Sequence, residues 1–410
     1  MKVAYLTSQY PEFHETFVAR EVEHLIRSGA DVKIFTLKPL PPEGNDLYPE
    51  HRKYIYYKPF IFSIAVLRDV IHETITNFPK VLGSLAWLVS NYKTRPKELA
   101  KALLVLPKTI HYARKIRVDN RIVHAHWATI PASMAIVIKK LTGTTVTITA
   151  HAWDIFLTPD HDLIDKVELS EGVVTCTGFN VGHLKEIVGA ENENKIKRNY
   201  HGIDIEHIDK SGKEKIFNDT HNFKILAVGR LVEQKGFEYL IKAIKKLSGS
   251  IDIELNIIGD GPLLDSLMSL STKLGGSNKV NFLGKVDHDT TLGYMKQSDL
   301  MVAPSIIAGD GDRDGIPNVI IEALACKAVV VGTNVSGIPE LIKNNDTGLL
   351  VESESVDELV TAISFVYDNK DKALELAESG FRYVIENFDI EKNIEEFITY
   401  LTQFHNLKKL

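Results

Sequence analysis

The sequence predicts an α/β protein of two doubly wound units, each a parallel sheet covered by helices. Three observations carry this reading. Strand-like and helix-like segments alternate through both halves, the rhythm of βα units feeding a parallel sheet. The rhythm lapses over residues 209–222, which are rich in Lys, Ser, Gly and Asp, and then restarts. The length, 410 residues, has room for two or three domains at roughly 150 residues each.

The elements follow in order. Residues 3–6 are a short apolar run ended by Thr7-Ser8-Gln9-Tyr10-Pro11. That is too brief for a secretory signal and fits a buried first strand. A helix over 15–28 closes at Gly29, and a strand returns at 32–37. Strands at 122–126, 146–150 and 173–176 alternate with helices at 131–141 and 181–188. After the lapse come strands at 224–228, 253–259, 280–283, 300–303 and 328–331, with helices at 237–247, 263–274 and 317–325. After a break at Asn387, residues 388–410 place Ile390, Ile394, Phe397, Ile398 and Leu401 on one helical stripe. The expected division is a first domain over 1–208, a linker over 209–222, a second domain over 223–387 and a terminal helix over 388–410.

Composition removes several classes. Hydrophobic residues at 44% and charged residues at 25% are an ordinary globular balance. Two cysteines in this length argue against a disulfide scaffold or a cysteine-built metal site. A net charge of -6 argues against a globally basic nucleic-acid binder, and no stacking module is present. Charge is uneven, however. Residues 51–118 hold 13 Lys and Arg against 3 Asp and Glu, a net of +10, among apolar runs such as 59–67 and 81–89. That mixture suits the surface of an anionic membrane; packed helices with a solvated basic face are the alternative. The expected location is the cytoplasm, with peripheral contact on the inner face of the cell membrane.

The chemistry sits where strands end. Gly229-Arg230-Leu231-Val232-Glu233-Gln234-Lys235-Gly236 joins a strand to a helix. Arg230 can reach a diphosphate by its fork and Lys235 as a point charge. Gly259-Asp260-Gly261-Pro262 follows the next strand, and its glycines permit close backbone approach to a ligand. The spacing is not the dinucleotide fingerprint, and no phosphate-loop Gly-Lys-Ser/Thr is present, which disfavours NAD, FAD and ATPase chemistry. The run from Asp310 to Glu322 mimics a calcium loop, but its twelfth position is Ile321. It reads better as Asp314 ahead of a helix that carries Glu322. Free amides around Ile316, Asn318 and Val319 would then face phosphate or sugar hydroxyls, with Gly315 and Pro317 in the same donor-binding turn.

These motifs, in this order, resemble the retaining glycosyltransferases of family four, and most closely in pattern the bacterial exopolysaccharide and colanic acid-type enzymes. The resemblance covers nearly the whole chain. It implies the GT-B fold, two facing Rossmann-like domains with a C-terminal helix crossing back to the first. It assigns Gly229, Arg230, Lys235, Gly259 and Gly261 to the diphosphate side of the donor. Asp314 would lie near the donor sugar, and Glu322 would take the ribose. The first carboxylate of the motif is usually Glu; Asp314 keeps the charge with a shorter reach.

The first half resembles the acceptor side. His151-Ala152-Trp153-Asp154 is similar to the family's His-Gly-x-Asp element, with Ala152 in place of Gly. His151 would contact the sugar at the reacting centre. His126 and Trp127, from His124-Ala125-His126-Trp127, together with Asp154, Glu15 and Thr16, are expected to line the acceptor side. His201-Gly202-Ile203-Asp204 resembles a structural element at the end of the first domain. The paired histidines could suggest a metal, but the family's reaction implies none and no other cofactor.

The resemblance implies transfer, with retention, from a nucleotide-diphosphate sugar to a hydroxyl of a lipid-linked or cell-envelope glycan. UDP-sugar is favoured over GDP-sugar. Two rivals remain: a sugar-nucleotide epimerase on the same architecture, which needs first-domain carboxylates as acid and base, and a non-catalytic nucleotide-sugar-binding subunit of a glycan-assembly complex.

Overall fold

The computed structural model describes residues 1–12, 16–39, 48–56, 63–209, 222–275 and 279–407. The chain divides into two compact units. The first comprises Met1–Cys176, Val181–Asn199 and Ile394–Leu410; the second comprises Thr177–Asn180 and Tyr200–Asn393.

The first unit is a seven-stranded parallel sheet of β1 (Lys2–Thr7), β2 (Asp31–Thr36), β3 (Ile55–Tyr56), β4 (Ile122–His126), β5 (Val146–Ala150), β6 (Gly172–Thr175) and β7 (Ile196–Arg198). Their order is β3-β2-β1-β4-β5-β6-β7. Residues of β4, β5 and β6 are buried on both faces, as helices on each side require. The order reverses between β1 and β4, so loops at their carboxyl ends diverge and leave room for a ligand. Helix Thr16–Arg27 packs Val18, Val22 and Leu25 against Val3 and Tyr5 of β1. Phe397 and Leu401 of helix Ile390–Leu407 join that same core.

Helix Ile64–Thr76 is turned inside out. Asp69 and Glu73 are buried, whereas Ile64, Leu67, Ile71 and Ile75 are 87, 57, 51 and 77% exposed. The reason is ionic: His111 Nδ1 lies 2.7 Å from Asp69, and Arg117 lies 2.9 Å from Glu73. Both partners stand on helix Pro96–Asp119. These pairs pin the polar stripe inward, so the apolar stripe faces out. Helix Phe78–Asn91 likewise exposes Phe78, Leu82, Leu85 and Val89. Of the apolar run 59–67, residues 59–62 lie outside the described residues. Among the described residues, no helix is long and apolar enough to cross a membrane.

The second unit repeats the plan with β8 (Phe223–Val228), β9 (Ile253–Ile258), β10 (Val280–Gly284), β11 (Leu300–Ala303), β12 (Val329–Thr333) and β13 (Leu349–Val351). Their order is β10-β9-β8-β11-β12-β13, with the reversal between β8 and β11. Helix Phe237–Leu247 buries Leu240, Ile241, Ile244 and Leu247 over the sheet. Helix Lys370–Asn387 stops at Asn387, where the sequence pattern breaks.

Residues 200–209 lie in the second unit, ahead of the expected boundary at 208. Ile203 forms a bridge with Asp389 and is buried with Ile208 in that unit's core. Residues 210–221 of the expected linker lie outside the described residues.

Candidate active site

In the second unit, three loops meet at the carboxyl ends of neighbouring strands β9, β8 and β11. Lys235, in the loop after β8, places Nζ 2.8 and 2.9 Å from the two carboxylate oxygens of Asp314, in the loop after β11. Ser305 Oγ donates to the same carboxylate at 2.9 Å. Asp314 therefore reaches its partner despite the shorter side chain. Its loop is tied to the β8 loop again through Gln234 Nε2 to Asp312 Oδ2 at 2.7 Å and Gly309 N–H to Glu233 Oε1 at 2.9 Å.

The glycines let these loops touch. A Cβ on Gly259, whose φ is +141°, would sit 1.9 Å from the Gly229 carbonyl oxygen. A Cβ on Gly261 would sit 2.6 Å from the Leu231 carbonyl oxygen. Backbone contact of this kind admits no side chain. Arg230 is exposed and makes no ion pair among the described residues.

Helix Asn318–Ala325 begins with Pro317 as its N-cap, one residue later than expected. Its first amides, at Asn318 and Val319, have no carbonyl a turn behind them to accept their hydrogens. Gly315 and Ile316 lead into it, and the Gly315 carbonyl accepts from Gly337 N–H at 3.2 Å. Glu322 is 7% exposed, and its Oε1 lies 3.1 Å from His288 Nε2. His288 and Ser305 carry no motif; their proximity comes from the sheet order alone.

In the first unit, His126 ends β4 and His151 follows β5. Their Nε2 atoms are 2.7 Å apart. His126 Nδ1 hydrogen-bonds the Tyr5 hydroxyl, which donates to Glu21 Oε1 at 2.8 Å. Tyr5 gives its hydrogen to Glu21, so its oxygen is left to accept from His126 Nδ1, and the two Nε2 atoms share one hydrogen. Burial raises the Glu21 carboxyl to about 7. Glu21 stands among Val18, Val22 and Leu25 on the buried stripe of its helix, which was the one signal in the sequence that marked it.

His124 is also close, with Glu21 and His126 offering ligand atoms within 4.8 Å. Both its ring nitrogens face threonine hydroxyls, Thr147 at 2.9 Å and Thr149 at 3.0 Å. Burial lowers its pKa to about 3. Hydrogen bonds already engage each of the three: His124 through the two threonines, and Glu21 and His126 through Tyr5.

Trp127 has a φ of 84° and packs its ring 4.5 Å from His151. The Phe17 ring lies 5.0 Å from the His151 ring, edge to face. Asp154 departs from the acceptor-lining expectation. It is fully buried, and its two oxygens accept from His151 N–H at 2.8 Å and Ala128 N–H at 2.7 Å. It clamps the loops after β4 and β5 together, and burial raises its pKa to about 6. Glu15 lies outside the described residues, and Thr16 is described only as the first residue of its helix.

Residues 209–383 match the family described as glycosyl transferases group 1. The amylovoran biosynthesis glycosyltransferase AmsK of Erwinia amylovora is 28% identical over 366 residues, 85% of this chain and 86% of that protein. A GDP-mannose-dependent phosphatidylinositol monomannoside mannosyltransferase of Mycobacterium tuberculosis is 31% identical over 39% of this chain and 42% of its own length. The crystal structure of Anabaena Alr3699/HepE in complex with UDP superposes with a TM-score of 0.71 at 18% identity, covering 98% of this chain and 100% of that one. The match to the group 1 glycosyl transferases thus lies in the second unit, and the chain is similar over most of its length to the exopolysaccharide-type glycosyltransferase AmsK, with the fold of the Anabaena protein.

Proposed function

We propose that the enzyme transfers a sugar, with retention, from a UDP-sugar to a hydroxyl of a lipid-linked or cell-envelope glycan. The observation that carries the donor side is the Lys235–Asp314 contact at the β8/β11 reversal, the position where doubly wound sheets hold their ligands. In this reading Lys235 and Arg230 meet the diphosphate with the amides of Ile316, Asn318 and Val319. Positive charge is thereby aimed at the leaving group without a metal. Glu322, oriented by His288, takes the ribose hydroxyls, and Asp314 and His151 position the sugar. The anomeric carbon–oxygen bond to phosphate breaks as the acceptor oxygen bonds on the same face. The acceptor proton ends on the departing phosphate.

UDP is supported by the Anabaena complex, and GDP by the mannosyltransferase match. A calorimetric screen of UDP-, GDP- and ADP-sugars, with product release measured with and without EDTA, decides between them. Turnover of a UDP-sugar that survives EDTA is expected. Binding by none would overturn the catalytic reading, and loss with EDTA the metal-free one. Lys235→Met is expected to lower turnover by ~10²–10³; full turnover would refute the phosphate contact.

The same proposal places the first unit against an anionic membrane. The two outward apolar stripes, Ile64 to Ile75 and Phe78 to Val89, lie within the segment of net charge +10. Outward apolar stripes in a segment with that excess of basic residues suit the surface of acidic lipid. Sedimentation with anionic but not neutral vesicles is expected; equally negligible binding to both would remove the membrane from the reading.

A further inference from the structure

We propose that a cavity in the first unit, bordering the His126–His151 pair through Trp153 and Trp127, binds an anionic amphiphile, an apolar chain bearing a phosphate-type head. The proposal rests on the lipid-linked acceptor reading and names the part of the protein that would hold the lipid portion. The cavity measures about 750 Å³, inside the range of roughly 300–1,000 Å³ typical of small-molecule sites. One wall comes from the carboxyl ends of β1, β2, β4 and β5, through Ser8, Lys38, Thr129 and Trp153. The other comes from the turn after helix Phe78–Asn91 and the start of helix Pro96–Asp119. Leu37, Val105, Ile130 and Leu157 make the walls apolar.

The charges sort themselves in favour of an anion. Two acids line the cavity, Glu98 and Asp162, and both are neutralised. Asp162 lies 2.5 Å from Arg95 and 2.8 Å from Lys166; Glu98 lies 2.8 Å from Lys101. Lys38 and Lys97, also in the lining, make no ion pair among the described residues. Arg95 is already engaged, with one terminal nitrogen on Asp162 and its guanidinium 4.7 Å from the Tyr92 ring. Lys38 and Lys97 are therefore the cations left for an anionic head, and a cationic amphiphile would face uncompensated positive charge. Tyr92, which ends the outward-striped helix Phe78–Asn91, is part of the same lining. The apolar face and the cavity thus share one turn of chain.

The test is a titration of the full chain with octyl, decyl and dodecyl phosphate below their micelle concentrations. Fluorescence of Trp153, which lines the cavity and is 44% exposed, gives the readout, confirmed by calorimetry. Decyltrimethylammonium and inorganic phosphate are the controls. Affinity should rise with chain length, by at most about fourfold per CH₂ buried. Both controls should bind at least tenfold more weakly than decyl phosphate. Lys97→Glu should weaken decyl phosphate about tenfold. Leu104→Asp, at a position 54% exposed, should flatten the chain-length dependence without unfolding the unit. Failure of the alkyl phosphates to bind, equal binding of the cationic amphiphile or of inorganic phosphate, or affinity indifferent to chain length and to both substitutions would overturn the proposal. No donor is present in this assay. Binding that meets these criteria without inhibiting sugar transfer would leave the cavity standing and count against the acceptor reading instead.

Discussion

Glu21→Gln should make the first unit more stable above neutral pH and leave it unchanged in acid. Burial lifts the Glu21 carboxyl from its ordinary 4.5 to about 7. A carboxyl raised on folding contributes stability that is fully present below the unfolded value, here pH 4.5. That contribution is lost as pH rises through the folded value, here about 7. At about 1.36 kcal/mol per pH unit, the wild type loses roughly 3 kcal/mol across this window. Glutamine is neutral throughout and still accepts the Tyr5 hydroxyl hydrogen. The difference between variant and wild type should therefore be near zero at pH 4.5 and reach roughly 3 kcal/mol in favour of the variant by pH 8. Asp154, raised to about 6 in the same unit, is common to both proteins and cancels. All three tryptophans, Trp87, Trp127 and Trp153, belong to the first unit, so urea unfolding followed by tryptophan fluorescence reports that unit alone. The expected displacement at pH 8 is roughly 1 M or more in midpoint. A difference constant within about 0.5 kcal/mol from pH 5 to pH 8 would refute the argument.

Gly259→Ala should abolish nucleotide binding, because the new Cβ would lie 1.9 Å from the Gly229 carbonyl and force the two loops apart; calorimetry with UDP and GDP reads it. His288→Ala should weaken nucleotide binding about three- to tenfold, the worth of one hydrogen bond, and Glu322→Ala by more. Wild-type affinity in both would remove the ribose assignment. Ile75→Glu with Leu82→Glu should lower binding to anionic vesicles at least tenfold while unfolding free energy stays within about 0.5 kcal/mol; a large loss of stability would mean that the stripe is packed in solution.

Much of the fold was legible because its signals are local. The strand Ile122–His126 and the helix Phe237–Leu247 have the bounds their patterns predict. The two- and three-residue strands Ile55–Tyr56, Ile196–Arg198 and Leu349–Val351 were missed. A pattern of period two needs more residues than that to appear. Asp154 misled for a related reason. A strand-end carboxylate has the same composition whether it faces a substrate or holds two backbone amides, and only its surroundings separate the cases.

The sequence by itself determined that two parallel sheets form and that the glycine loops follow their strands, and it singled out Lys235, Asp314 and Glu322 as candidates for one site. Alternation, turn residues and helix starts are written within a few residues, so they survive without a structure. Tertiary structure alone decided which of these groups touch. Lys235 meets Asp314, 79 residues on, because β8 and β11 are neighbours in the sheet. Tyr5 meets His126, 121 residues on, because β1 pairs with β4. The same holds for the outward apolar stripe of helix Ile64–Thr76. Its pattern fits a buried helix equally well, and the partners His111 and Arg117 on another helix decide which side is covered. Contacts between distant segments are fixed by the order in which strands assemble, and no local window of sequence contains that order.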